Sequence, residues 1–337
     1  MDEQTKVEQT VYFKNAPIII GYYSLVGKKE GEGNFKEYFD YILKNDKFHE
    51  KTFEKAERKI LETIVFEAID KAKLKPEDVD LFLSGDLLNQ IITSSFTARD
   101  FNTTFIGLYG ACSTMSESLA LASCLIDGGY FNTVACATCS HFSTAERQYR
   151  TPLELANQRP PISQWTVTGG GCTILGKSGK GNKITCATFG KVVDFGIKDV
   201  NNMGAAMAPA AFNTMLAHFN NTKTTPEDYD QIFTGDLGKL GSHILCDLML
   251  EVGYNLGKNY TDCGHAIFKT KQQAYQGGSG CGCSASVLNS YVYKKLTDGT
   301  FKKVLFVATG ALLSTTSSQQ GESIPAIAHA VQIERGD

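Results

Sequence analysis

The feature that most constrains this chain is an internal repeat. "KPEDVDLFLSGDLL", beginning at Lys75, returns as "TPEDYDQIFTGDLG", beginning at Thr225, so that Pro76 falls on Pro226 and Asp86 on Asp236. Further on, "CSTMSESLALASCLIDGGYFNTVACAT" from Cys112 matches "CSASVLNSYVYKKLTDGTFKKVLFVAT" from Cys283 without a gap. The second copy carries additional residues between its GDL and its cysteine-led helix, among them Asp262, Cys263 and Gly264, and these are expected to shape one wall of a cleft. Two long copies predict a pseudo-twofold pair of halves, 1–180 and 181–337, rather than a solenoid of many short units.

Each copy has the same rhythm. Apolar residues Ile60, Leu61, Ile64, Val65, Ala68, Ile69 and Ala72 recur at three- and four-residue steps, which predicts a helix over 51–73 ended before Pro76. Its counterpart is 205–220. Strands follow at 79–84 and 229–234, then cysteine-led helices at 112–126 and 283–296, then strands at 133–138 and 304–309. Alternating β and α elements predict an α/β fold with a mostly parallel sheet. Between Cys112 and Ile126 the only charged residue is Glu117, and Ser, Ala, Cys and Leu dominate. Such a helix is buried on more than one side.

With 337 residues, 42% of them apolar, the chain is long enough for two packed units. A net charge of -3 gives no global attraction to nucleic acid or anionic lipid. The opening "MDEQTKVEQTVYFKNAPIIIGYYS" has neither the charge pattern of a signal peptide nor the apolar length of a membrane span. The ten cysteines lack metal-site spacing, which predicts a reduced, intracellular, soluble chain without a metal or other cofactor.

Cys112 follows the strand-like "TFIGLYGA" and opens a helix. A helix start presents unpaired N–H groups that favour a thiolate or a bound anion. The position therefore suits a nucleophile, an anion seat, or a small buried side chain.

Two βα halves with buried central helices, each led by a cysteine or its equivalent, resemble the thiolase fold shared by thiolases and ketoacyl synthases. Within it, "LSGDLLNQ", "GACSTMSESLALASCLIDGG", "CSHFSTAERQYR", "MGAAMAPAA", "GGSGCGCSAS" and "VATGALLS" resemble the stage V sporulation protein AD family of spore-forming bacteria. The resemblance implies a component of the dipicolinic acid uptake machinery that binds dipicolinate, as the free acid or its calcium chelate. It also implies other stage V sporulation proteins as partners and a peripheral place at the spore inner membrane. Catalytic relatives set a His or Asn near the second GDL and in the glycine-rich loop before the second central helix. Here those places hold Asp236 and the stretch Ser279 to Cys281, so the partners of acyl transfer are replaced. The competing reading is an acyltransferase that uses Cys112 in a rearranged site, with His243 or His265 moved in.

For a flat dicarboxylate, the candidate donors are Cys112, Ser113, Ser140, His141, Arg147 and Arg150, with Asp236, Ser279 and Cys281 around them. Arg147 and Arg150 could instead pair with Glu146 and Glu154. Asp86 and Asp236 read first as loop caps and second as site residues. Thr168 to Gly171 marks either a strand entry beside the pocket or close backbone packing. The apolar "TFIGLY" at 104–109 predicts an edge strand paired across a twofold axis in a homodimer.

Overall fold

The computed structural model describes residues 8–150, 153–155 and 158–336. In the first half the main strands are β1 (Ile18–Val26), β2 (Leu81–Gly85), β3 (Thr104–Gly107), β4 (Thr133–Ser140) and β5 (Gly169–Gly176). In the second they are β6 (Lys183–Thr188), β7 (Gln231–Thr234), β8 (Tyr260–Asp262), β9 (Lys303–Ala311) and β10 (Ala326–Glu334). Their spatial order is β8-β7-β9-β10-β6-β1-β5-β4-β2-β3. Read outward from the junction of β1 with β6, the two halves run in the same order. β2 is parallel to β3 and β4, and β7 is parallel to β8 and β9. β5 and β10 each run antiparallel to both neighbours. The halves meet where Ile18 pairs with Lys183, and residue 180 lies in the turn joining β5 to β6.

The helices are α1 (Phe53–Lys71), α2 (Ile92–Phe101), α3 (Thr114–Asp127), α4 (Phe142–Tyr149), α5 (Met203–Thr222), α6 (Gly238–Glu251) and α7 (Cys281–Val287). Side chains alternate across each strand, which sorts the apolar residues into separate cores. Leu81, Leu83, Val134 and Cys136 face one way, with Met115 and Leu119 of α3 and Cys283 and Ala285 of α7. Phe233, Phe306 and Ala308 of the second half join that same central core. The alternate residues Phe82, Ala135 and Ala137 pack on Ile60, Ile64 and Val65 of α1. Ile232, Leu305 and Val307 pack on Met215 of α5 and Leu245 of α6. The layers are therefore helix, sheet, helix, sheet, helix, with α3 and α7 in the middle: a thiolase-like α/β fold.

That middle position explains the composition of α3. The helix is buried except for a half-buried stripe through Glu117, Leu121, Cys124 and Leu125, and its buried serines return their hydroxyls to the preceding turn. Ser116 donates to the Ser113 carbonyl (3.0 Å), Ser118 to Met115 (2.9 Å) and Ser123 to Leu119 (2.7 Å).

Boundaries differ from expectation where backbone geometry intervenes. The helix expected from residue 112 begins as a single 3-10 turn over Ala111–Ser113 before α3 starts. The one expected over 283–296 starts at Cys281 and passes through a π turn at Leu288–Val292. The 104–109 strand ends at Gly107, and Ile106 on it is exposed rather than buried on either face. No helix among the described residues is long and apolar enough to cross a membrane.

Candidate functional site

Cys112 lies at the floor of a cavity of about 790 Å3 between the ends of β2, β3 and β9. The segment leading to it is bent sharply: Ala111 holds a left-handed backbone, φ 49°. An alanine there costs roughly 1 kcal/mol relative to a right-handed conformation. Across the half-to-half contact, a Cβ on Gly310 of β9 would stand 2.0 Å from the Gly110 carbonyl, so only glycine permits this approach. The turn that presents Cys112 is thus held from the other half.

Cys112 is 8% exposed, and the Asp236 carboxylate lies close enough to act on its thiol. Burial first, and then the nearby charge of Asp236, push the Cys112 thiol well above its usual range. Desolvation and the nearby carboxylate work against the N–H groups of the helix start and favour the neutral thiol. Asp236 is itself fully buried, and that burial raises its carboxyl to about 7. It accepts from the Gly280 N–H (2.8 Å) and the Thr309 hydroxyl (3.3 Å). Gly280 reaches it through a left-handed turn at φ 92°.

The repeat-related Asp86 has another role. It accepts from the Leu88 N–H (2.9 Å), the Ser94 N–H (2.8 Å) and the Ser94 hydroxyl (2.7 Å), pinning the loop into α2. In the second half that work falls to Asp262, which accepts from the N–H groups of Leu237, Gly238 and His265 and from the Thr234 hydroxyl. Asp86 is a loop cap at the cavity wall, and Asp236 faces the cysteine.

Of the other expected donors, Arg150 and Ser279 line the cavity. Arg150 is held by Glu146, which also takes Arg159 (2.6 Å), and the Arg150 Nε has no partner among the described residues. Ser113, Ser140, His141 and Arg147 are not brought to the cavity wall. Ser113 donates to the Gly110 carbonyl (2.7 Å), and Ser140 donates to the Val167 carbonyl (2.7 Å). His141 is buried with Nε2 on the Asp46 carbonyl (2.7 Å) and Nδ1 accepting from the Ser143 N–H as the cap of α4. Arg147 pairs with Glu54 (2.9 Å) at the surface. Three residues apart on a helix, the two arginines would share a face, but Arg150 follows the last residue of α4 with a non-helical backbone (φ -122°, ψ -88°), so its side chain departs from that of Arg147. The Glu154 side chain lies outside the described residues. Cys281 is buried behind the floor, donating to the Cys139 carbonyl (3.0 Å). His243 and His265 line a different cavity.

Sequence reasoning missed the rim. Asn89 and Gln90 follow the first "GDLL", and the Asn89 N–H donates to Gln148 of α4 (3.0 Å), whose Nε2 donates to the Leu87 carbonyl (2.8 Å). Thr315 and Thr316 close the opposite side after β9. The polar pair after "GDLL" was the available signal for the first of these rims.

Comparison with known proteins agrees with this architecture. Residues 7–334 match the family model for stage V sporulation protein AD. The chain is 44% identical over 328 residues to stage V sporulation protein AD of Bacillus subtilis, covering 97% of each chain. In solved structures it is similar to 3-oxoacyl-[acyl-carrier-protein] synthase III of Aquifex aeolicus, at 12% identity and a TM-score of 0.59 over 94% of this chain and 99% of that one. It is also similar to the E117Q variant of OleA from Xanthomonas campestris, at 10% identity and a TM-score of 0.60 over 96% of this chain and 99% of the other.

Proposed function

The chain belongs to the stage V sporulation protein AD family, and from that membership we propose that it binds dipicolinate in the Cys112 cavity without acyl chemistry. The observation that carries this reading is the state of the cysteine. A buried thiol held neutral beside a carboxylate, with no imidazole on the cavity wall among the described residues, lacks the histidine base that acyl-transfer relatives of this fold use to activate it. Space and selective polarity remain.

A flat ring with two carboxylates needs an apolar slot and donors at both ends. Met203, Met207 and Leu312 supply apolar wall, Arg150 supplies the cation, and Gln148 with the hydroxyls of Thr315 and Thr316 supplies neutral donors. Arg150 bonds Glu146 through Nη1 alone, and its Nε–H has no partner among the described residues. Ligand binding then feeds the uptake machinery through other stage V sporulation proteins at the spore inner membrane. The chain acts as a homodimer joined along β3, which has a strand neighbour on one side only and exposes Ile106, with Tyr109 exposed just beyond its end. Light scattering that finds a stable monomer at micromolar concentration counts against the dimer.

Titration calorimetry with dipicolinate tests the main reading. Arg150→Ala is expected to weaken binding at least tenfold and Cys112→Lys to block it by bulk. Arg147→Ala, at the surface, is expected to leave it unchanged. Thiol release from acetyl-CoA or malonyl-CoA that disappears in Cys112→Ala would instead establish the acyltransferase reading, for which the Cys112–Asp236 contact is the favourable observation.

A further inference from the structure

A second cavity, of about 930 Å3, opens beside α6 and the residues that the second half carries in addition to the first. It shares no wall residue with the Cys112 cavity and lies at the β8 end of the sheet, the far edge from β3. We propose that it is a separate binding site for a small anion carrying at least two negative charges, borne by phosphate or by carboxylates. This inference does not rest on the reading of the Cys112 cavity.

Three observations converge. The first is the lining: Lys239 and His243 from the first turns of α6 face His265 and Lys269 from the additional segment. Neither lysine takes part in an ion pair among the described residues, whereas other lysines of the chain do. The wall has one carboxylate, Asp262, and it is buried with both oxygens engaged by the four hydrogen bonds described above, so it does not neutralise the lysines from within the cavity. The second is Ser242, which is 4% exposed, lies on the cavity wall, and has a hydroxyl oxygen without a partner among the described residues. A buried hydroxyl left unpaired is costly, and a bound oxyanion would satisfy it. The third is that the imidazole of His265 is held below its usual range by burial and then by the neighbouring His243 and Lys239, which places these groups close together.

The recognition chemistry follows. Two ammonium groups supply charge, two imidazoles and a serine hydroxyl supply directed donors, and Phe268, Ala274 and Tyr275 supply an apolar side for the organic part of the ligand. The site exists only in the second half, because β3 of the first half is followed directly by the turn to Cys112.

The test uses the full chain and two probes, inorganic pyrophosphate and citrate, at constant ionic strength. Calorimetry gives affinity, and histidine ring signals in nuclear magnetic resonance locate the probe. At least one probe is expected to saturate, with shifts confined to His243 and His265. Lys239→Gln and Lys269→Gln are each expected to weaken it about tenfold, and Ser242→Ala about threefold. Saturation by pyrophosphate alone assigns a phosphate ligand, and saturation by citrate alone assigns a carboxylate. Absence of saturable binding by either probe up to 10 mM, shifts at histidines elsewhere, or unchanged affinity in both lysine variants would overturn the proposal. Circular dichroism of each variant shows whether the fold is intact, and the conservative Lys→Arg replacements are expected to restore affinity.

Discussion

The two GDL loops began as copies and now do different work. In the first half, Asp86 caps its own loop through Leu88 and Ser94. In the second, Asp262 ends β8 where the first half has Gly107 at the end of β3, a correction to its expected place among the additional residues, and it binds the N–H groups of Leu237 and Gly238. Asp236 is thereby released from capping and turned toward Cys112 and the Gly280 N–H. The threonines at the ends of the matched strands diverge in step: Thr138 donates to the Gly85 carbonyl (2.6 Å), while Thr309 donates to Asp236. The difference teaches that a repeated side chain changes role when another residue takes over its hydrogen bonds.

The sharpest way to break this comparison is to remove the substitute cap. Asp262→Ala strands three N–H groups and a hydroxyl in a buried loop, and is expected to destabilise the protein by about 3–5 kcal/mol in urea unfolding. If it costs no more than Asp236→Ala, Asp262 is not the residue that holds the loop.

Next in size is the chemistry of the cysteine. Asp236→Asn keeps the shape and removes the charge facing Cys112, so the thiol pKa is expected to fall and alkylation at pH 8 to rise several-fold. Peptide mass spectrometry after brief iodoacetamide treatment reads this residue by residue. Cys283, buried at the start of the other central helix, is expected to stay unlabelled in both proteins. Equal labelling of Cys112 in parent and variant would mean that Asp236 does not govern it.

Stability should also depend on pH. Burial raises Glu30 to about 8, Asp236 to about 7 and Asp262 to about 6. Each folded carboxyl holds its proton more tightly than in the unfolded chain, where carboxyls titrate near pH 4. The folded state therefore binds more protons between about pH 4 and 8, and the contribution of these groups is full below that window and lost as pH rises through it. Tm is expected to fall between pH 5.5 and 8, and to fall less in Asp236→Asn. A Tm that rises over this interval would refute the burial of these groups as ionisable carboxyls.

The smallest effect sharpens the contrast between Arg147 of α4 and Arg150 just past its end. Arg147→Ala removes an exposed pair with Glu54 and is expected to change stability by less than about 0.5 kcal/mol. Arg150→Ala leaves Glu146 with Arg159 alone in a largely buried place and is expected to cost more, about 1–3 kcal/mol by the same unfolding measurement.

By itself the sequence determined the duplication, the βα alternation, the small-residue central helices and the place of Cys112 at a bend before α3. These are local: periodicity, turn residues and matched blocks are properties of neighbours along the chain. It left β1, β6 and β10 unread, because all three fall outside the matched blocks of the repeat. Only the tertiary structure decided that Asp86 caps while Asp236 faces a thiol, that Arg150 enters the cavity while Arg147 and His141 do not, and that Cys112 favours the neutral thiol. Each of those outcomes is set by groups distant in sequence, Gly280, Thr309 and Asp262 among them, arriving in a desolvated space where one carboxylate more or less reverses the balance of charge.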